Sequence, residues 1–220
     1  MKKNLVLFVL FILPIVAYLF FASGVNGFIK LPVLTPNVPE FNHWKTIDGK
    51  EIQLDSKITI LGFPGENVEL RKGNFFNLNQ KIFKKYAEFK DFQIVILVPF
   101  GSEEQVKVMT TKLATLNNRS NWYFVMASND EIQLFYNQMK LQEKVNTTIG
   151  TTNVFIIDKE RNVRGRKGHV DKDDDEYREG YNTSLVSELH NELNDDVKIV
   201  LAEYRLALKK NSANRKKYGL

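Results

Sequence analysis

The sequence contains no cysteine. Without cysteine, the chain can form no disulfide and can offer no thiolate as a nucleophile or a metal ligand. Histidine is scarce at 3 residues, and the 12 glycines form neither a P-loop nor a dinucleotide fingerprint. The hydrolase motifs GxSxG and HExxH are also missing. These absences exclude thiol redox chemistry within this chain, and they leave nucleotide cofactors and metal-dependent hydrolysis without a recognisable site.

The formal net charge of +5 is concentrated at the two ends of the chain. Lys2 and Lys3 stand at the start, and five basic residues lie between positions 209 and 217. The rest of the chain contains the other 24 basic residues and all 26 acidic ones, so its formal net charge is near −2. A nucleic-acid-binding domain carries a basic patch on its body, so we predict no nucleic-acid partner. The basic tail, 210–220, is predicted to be solvated; contact with anionic lipid or an acidic partner is the alternative.

One long apolar run lies near the N-terminus. Leu5 to Ala22 is 18 residues without a charge, which as a helix spans about 27 Å, close to the thickness of the hydrocarbon core of a bilayer. Lysines precede the run and none follows before Lys30, so the positive-inside rule places the N-terminus in the cytoplasm. We therefore predict a single-pass transmembrane anchor, 1–23, that contacts membrane lipid and holds a domain on the extracytoplasmic (periplasmic) side. A cleaved signal peptide ending near Ser23 is the alternative, and it exports the domain as well.

The rest of the chain divides into a short linker and one domain. Residues 24–40 contain three prolines and are predicted to be an extended tether. Residues 41–209 are predicted to form the domain, because their length suits a single core.

Strand and helix patterns alternate along the domain. A hairpin is predicted around Asp48-Gly49, and two capping boxes, at Ser102 and Ser128, are predicted to open helices. The predicted strands are 57–63, 93–100, 121–127, 153–158 and 163–165. The predicted helices start near positions 74, 102, 128 and 183, and the last is predicted to reach 209 with a break near 194–196. This alternation favours a sheet with a parallel part and helices on both faces.

Together these features resemble the Sco/SenC branch of the thioredoxin-like proteins. The resemblance rests on the anchor and tether, on the hairpin followed by Leu61-Gly62-Phe63, on the C-terminal helix with Asp195-Asp196, and on a later strand and turn. The family-like residues of that strand and turn are Thr152, Phe155, Asp158, Arg164 and Gly165. The resemblance implies an α/β fold, a thioredoxin-like (Sco/peroxiredoxin-type) three-layer sandwich with an N-terminal hairpin. It also implies a link to copper delivery and respiratory oxidase assembly.

The residues that carry the family's chemistry are missing. The resemblance places a CxxxC loop, which in the family binds copper, at a segment that here reads Pro64, Gly65, Glu66, Asn67, Val68, Glu69, Leu70. It places the third copper ligand, a histidine, at Gly150. Copper(I) needs thiolate, thioether or imidazole donors, so we expect no cofactor and no metal at this position.

Other polar clusters are weaker candidates. The acidic run Asp171, Asp173, Asp174, Asp175 and Glu176 does not fit an EF-hand, because its sixth and twelfth positions are Glu and Asn. Glu66 and Glu69 could form a paired-carboxylate site, although such residues commonly solvate a helix start. A metal role is not expected for His43, His169 or His190.

The function predicted from these observations is a redox-inactive, Sco-like domain that is not an enzyme. It would act as a binding or assembly factor for a protein of the cell envelope. Two alternatives stay open at this point: an enzyme that uses carboxylates, and an accessory subunit of a thiol oxidoreductase whose cysteines come from a partner.

Overall fold

The computed structural model describes residues 2–23, 30–116, 121–145, 148, 150–167 and 177–218, with side chains from 8 to 19 in the first helix and up to 207 in the last. The helices are α1 Lys2–Ser23, α2 Lys72–Leu78, α3 Lys84–Tyr86, α4 Glu103–Ala114, α5 Asn129–Gln138, α6 Val186–Glu188 and α7 Asn194–Tyr218. The strands are β1 Val33–Thr35, β2 Lys45–Thr46, β3 Ile58–Gly62, β4 Phe92–Pro99, β5 Trp122–Ala127, β6 Asn153–Ile157, β7 Val163–Arg164, β8 Arg166–Lys167, β9 Tyr177–Arg178 and β10 Tyr181–Asn182.

One mixed sheet organises the domain. Its order is β1-β7-β6-β3-β4-β5-β2, and β10 pairs with β6. Strands β3, β4 and β5 are parallel, whereas β6, β7, β1 and β2 join antiparallel. The parallel part that the alternation of elements predicts is confirmed.

The central strands are buried on both faces, which explains their near-continuous apolar runs. Alternate residues of β4 point to opposite sides. Ile94 and Ile96 join the core beneath α2, α4 and α7, and Val95 and Leu97 join the core beneath α5. Helices thus cover both faces of the sheet.

Two helices pass through π-helical segments. Asn79–Phe83 joins α2 to α3, and Leu189–Leu193 joins α6 to α7. The predicted break near 194–196 is therefore wrong, because Asn194 opens α7 as a continuation of the π-helical segment. Its side chain and carbonyl accept hydrogen bonds from the Tyr86 hydroxyl at 3.0 and 2.9 Å, so tertiary contacts hold the helix through its polar stretch.

The second half of the predicted tether is part of the sheet. β1 pairs with β7, Leu31 and Val38 are buried, and the Thr35 hydroxyl donates to the Met139 carbonyl at 2.6 Å. The predicted hairpin is reduced to a turn at Asp48-Gly49 with one bridge, Lys45 to Glu51, while β2 pairs with β5 instead.

The two predicted capping boxes differ in the structure. Ser128 forms one, because its hydroxyl accepts from the Glu131 amide and its own amide donates to the Glu131 carboxylate. Ser102 makes no capping bond; its hydroxyl donates to the Glu66 carbonyl at 3.4 Å instead. At Ser102 the serine side chain therefore makes a tertiary contact instead of capping α4.

We expect Ser128→Ala to lower the free energy of unfolding by about 1 kcal/mol, because it removes an N-cap. Ser102→Ala should cost less, since no cap is lost there. The Ser128 hydroxyl lowers the pKa of Glu131 below its ordinary value of 4.5, so this carboxylate stabilises the fold above that pH and loses its contribution as the pH falls. Urea unfolding at pH 7 measures the loss of the cap, and its repetition at pH 3 measures the loss of the Glu131 contribution. Equal losses of unfolding free energy for the two serine variants at pH 7 would contradict the conclusion that only Ser128 caps a helix.

The part of the chain that the structure describes contains no helix with the length and apolar character that crossing a bilayer requires. The transmembrane anchor therefore stays a prediction.

Candidate functional site

The loop that follows β3 lies at the carboxyl ends of the three parallel strands, where open α/β sheets usually bind ligands. The loops after β4 and β5 meet it there. Ser102, after β4, donates to the Glu66 carbonyl, and the Asn129 side-chain amide, after β5, donates to the Glu66 carboxylate at 2.9 Å. Glu66 is therefore the junction of these loops.

Local hydrogen bonds close the loop on itself. The Asn67 side chain accepts from the Leu70 amide at 3.1 Å, which opens the 3₁₀ turn Glu69–Arg71. The Glu69 amide donates to the Gln105 side chain at 3.1 Å. Val68 is fully buried and anchors the segment in the core. The predicted loop, 64–70, is thus ordered by its own side chains and by α4.

Gly150 sits directly on this loop, so the structure brings together the two segments that the resemblance identifies as the site. The Thr151 amide donates to the Phe63 carbonyl at 2.7 Å, and the Glu66 amide donates to the Thr148 carbonyl at 3.2 Å. Gly150 has φ +66°, and a Cβ placed there would lie 2.2 Å from the Gly65 nitrogen. A side chain at position 150 is therefore excluded by the backbone of the loop.

Two small cavities lie beside the loop among the residues that the structure describes. A cavity of about 10 Å³ beneath Gly65 and Gly150 has an apolar lining, and a second of about 20 Å³ lies between Pro64 and Thr151. Each is near the minimum that a single water molecule needs.

The donor set does not fit copper. The loop offers carboxylate and amide oxygens at Glu66, Asn67 and Glu69, which are hard donors, and position 150 has no side chain. Copper(I) prefers sulfur and imidazole. The residues of this loop therefore do not fit a copper(I) site.

The two carboxylates of the loop do not form a buried pair. Glu66 and Glu69 are both exposed, and Glu66 is engaged with Asn129. A carboxylic acid that acts as a catalytic acid at neutral pH needs an apolar environment. Glu66 and Glu69 therefore lack the buried, apolar surroundings that the paired-carboxylate hypothesis requires.

The family-like strand and turn serve as scaffold. The Asp158 carboxylate accepts from the Glu160 and Asn162 amides and from Arg164, all at 2.8–2.9 Å. Phe155 is buried against the rings of Phe63 and Tyr136.

The other two family-like residues hold neighbouring segments. The Thr152 carbonyl accepts from the Thr183 amide at 3.0 Å. The Gly165 amide donates to the Pro32 carbonyl at 3.1 Å, and a Cβ at Gly165 would lie 2.3 Å from the Arg178 carbonyl oxygen.

A pair of carboxylates that positions Gly150 carries no recognisable pattern in the sequence. Glu179 accepts from the Gln142 and Glu143 amides at 2.8 and 2.7 Å, and Glu143 accepts from Thr151 and Asn153 side chains at 2.7 and 2.8 Å. These residues come together only through the fold, since 36 positions separate Glu143 from Glu179. They fix the segment that carries Gly150 against the loop.

Of the remaining candidates, the structure describes only His43 and His190. His43 and His190 are exposed, whereas His169 and the acidic run 171–176 lie outside the described residues. Within the described ranges, no group of three or more His, Asp or Glu side chains could hold a metal ion.

Comparison with known proteins identifies the fold. No protein-family model and no curated protein matches the chain. A SCO1/SenC family lipoprotein from Bacillus anthracis has a TM-score of 0.54 at 18% identity, covering 78% of this chain and 99% of that protein. BsSco, a member of the Sco family of cytochrome c oxidase assembly proteins, has a TM-score of 0.51 at 20% identity, covering 77% and 92%. The predicted Sco/SenC resemblance is confirmed as a shared thioredoxin-like, mixed α/β fold.

Proposed function

We propose that this chain is a Sco-like binding or assembly factor that acts through protein contact, without thiol or copper chemistry of its own. The observation that carries the proposal is the packing of Gly150 on Phe63–Gly65. Both segments of the family's site lie side by side, but the place of the histidine is filled by loop backbone. A loop that is closed by hydrogen bonds and has no sulfur or imidazole donor favours binding of a protein partner over thiol or copper chemistry.

The proposed contact surface, which we call the loop face, consists of Glu66, Glu69, Leu70, Phe100 and Glu103. Leu70 and Phe100 are 79% and 64% exposed. Glu66 and Glu69 are exposed in the same loop as Leu70, and the Glu103 carboxylate accepts from the Gly101 amide, next to Phe100, at 3.1 Å. Exposed large apolar side chains with a polar rim are typical of protein-binding surfaces. The loop face therefore offers two apolar anchors to a partner.

We further propose that α1 anchors the domain to a membrane and that the domain works outside the cytoplasm. The 18 uncharged residues from Leu5 to Ala22 and the preceding lysines support this placement. The likeness to a Bacillus anthracis lipoprotein and to a cytochrome c oxidase assembly protein motivates a partner in the cell envelope, such as a respiratory oxidase subunit.

Crosslinking of the full chain in its native membrane, read by mass spectrometry, tests the binding function. We expect the wild type to crosslink to one partner protein. Phe100→Ser should recover much less of that partner, because it removes an exposed apolar side chain from the loop face. Phe89→Ser is the matched control: Phe89 is 42% exposed and precedes β4 at the opposite end of the same strand. Equal recovery by both variants would exclude the loop face.

A copper titration tests the absence of chemistry separately. With Cu(I) supplied in competition with a chelator, the purified chain should show no stoichiometric binding. One Cu(I) per chain at submicromolar affinity would overturn the proposal.

A further inference from the structure

The basic residues of α7 follow the last acidic residue of the chain. That residue is Glu203, and six basic residues come after it, at positions 205, 209, 210, 215, 216 and 217. α7 includes all six positions and continues to Tyr218. At 1.5 Å per residue, the helix from Arg205 to Tyr218 is about 21 Å long. We call this part of α7, residues 205–218, the cationic extension.

The described contacts of α7 with the domain end where the cationic extension begins. Val200 is fully buried. Tyr204 is half-buried against the core, and the Lys159 Nζ lies 5.7 Å from the centre of its ring. The next three side chains, 205–207, are all exposed. The start of the extension therefore faces solvent rather than the core.

The helix dipole does not account for all of this positive charge. Cations stabilise a helix when they lie in its last turn, beside the unpaired carbonyls. The basic residues at 215–217 meet that condition, since α7 ends at Tyr218. Those at 205, 209 and 210 lie about two turns or more before that end. Their charge therefore calls for another interaction.

The base of the cationic extension lies beside the segment that enters the domain from α1. The Glu203 carboxylate contacts the Lys30 Nζ at 3.1 Å and accepts from the Arg164 guanidinium at 2.7 Å. Arg164 also donates to the Leu31 carbonyl at 2.9 and 2.6 Å. These bonds hold the start of the extension next to residues 30–31.

The chain between α1 and this point is short. α1 ends at Ser23, and Lys30, which contacts Glu203, comes seven residues later. Seven residues span at most about 25 Å. With α1 in a bilayer, the base of the extension therefore lies within about 25 Å of the membrane surface, and a helix of about 21 Å can reach the lipid headgroups. Residues 24–39 contain no acidic residue that would oppose this approach.

We propose that the cationic extension binds the anionic lipid headgroups of the membrane in which α1 is anchored. Basic residues near an anionic bilayer are attracted to it over about 10 Å at about 0.1 M salt. An acidic protein would match the same charge, but the position of the extension beside the chain from α1 favours lipid. Two attachments, α1 and the extension, would hold the domain in one orientation on the membrane. This inference rests on the proposed anchor and is independent of the loop face.

A fluorescent label on the cationic extension tests the lipid contact. Because the chain has no cysteine, Ser212→Cys supplies one thiol, which is labelled with the polarity-sensitive fluorophore NBD. The full chain is reconstituted into vesicles of phosphatidylcholine, alone or with about 30% phosphatidylglycerol. We expect NBD emission to brighten about 2-fold and to shift to shorter wavelength only with phosphatidylglycerol. Salt at about 1 M, where the Debye length is about 3 Å, should reverse the change.

Matched charge reversals locate the contact. Lys209→Glu combined with Lys210→Glu replaces two positive charges of the extension with two negative ones. Lys140→Glu combined with Lys144→Glu makes the same change at exposed positions beyond α5, on the other face of the sheet from α7. The first pair should lower the ratio of bound to free extension by about 10-fold or more, and the second by less than about 2-fold.

Flotation of the same vesicles on a density gradient reports on the anchor separately. A chain that floats with phosphatidylcholine vesicles but shows no NBD change with phosphatidylglycerol would overturn this proposal and leave the anchor intact. A chain that floats only with phosphatidylglycerol, and is released by salt, would keep the lipid contact of the extension and overturn the anchor. Flotation with neither lipid would overturn both.

Two further results would also count against the lipid contact. One is an NBD change of equal size in both lipids, or a change that persists when Lys209 and Lys210 are replaced by glutamate. The other is an NBD change with polyglutamate in detergent and none with phosphatidylglycerol vesicles, which would assign the cationic extension to an acidic protein.

Discussion

Gly150→Ala is expected to lower the free energy of unfolding by about 3 kcal/mol relative to the wild type. Two costs combine at this position. An L-residue at φ +66° pays about 1 kcal/mol or more for the left-handed conformation. The added methyl also meets the loop backbone, at 2.2 Å from the Gly65 nitrogen and 2.5 Å from the Phe63 carbonyl oxygen, so the two segments must separate.

Gly49→Ala separates the two costs. Gly49 has φ +80°, but no atom lies within 4 Å of a Cβ built there, so this variant should lose only about 1 kcal/mol. Urea denaturation of both variants gives the comparison. An equal loss would mean that the loop does not close on Gly150, and the observation behind the proposed function would fail. The same clash means that Gly150→His cannot rebuild the family's histidine without opening the loop.

Arg164→Met is expected to cost about 4 kcal/mol, because it leaves a buried carboxylate without its cation. Arg164 is 3% exposed and Asp158 is fully buried. The guanidinium donates to Asp158 at 2.8 Å, to Glu203 on α7 at 2.7 Å, and twice to the Leu31 carbonyl. Burial by itself lowers the pKa of Arg164, but hydrogen bonds to Asp158 and Glu203 outweigh it and the net pKa is raised. The side chain therefore stays charged.

Arg205→Met on the exposed side of α7 is the matched control, and we expect a loss within about 0.5 kcal/mol. Unfolding is followed by circular dichroism in urea. Hydrogen exchange at residues 31–38 should also rise in Arg164→Met, because Arg164 holds the Leu31 carbonyl beside β7. A loss below about 1 kcal/mol for Arg164→Met would show that water or another cation replaces the guanidinium.

The capping patterns show what a local motif can and cannot predict. Ser128 and Ser102 both precede helices with a suitable residue three positions on. Helix starts are confirmed at both, since local sequence decides where a helix can begin. Only Ser128 forms the box, because the Ser102 hydroxyl and the Gln105 side chain are taken by the loop 64–70. That competition arises between segments about 36 positions apart, which no local window contains.

The candidate site also has features that the sequence predicts and features that only the fold reveals. The position of the loop after β3 and the absence of soft donors follow from the residues themselves, because a copper site cannot form without its ligand atoms. The carboxylates Glu143 and Glu179, which fix Gly150, were not predictable, since neither belongs to a motif.

By itself, the sequence determined the alternation of strands and helices and the absence of cysteine from these 220 residues. It did so because apolar periodicity and side-chain composition are local properties of the chain. Only the tertiary structure decided that β1 extends the sheet and that Gly150 closes the loop. Those features depend on strand pairing and close packing between distant segments, whose energies exist only once the chain has folded.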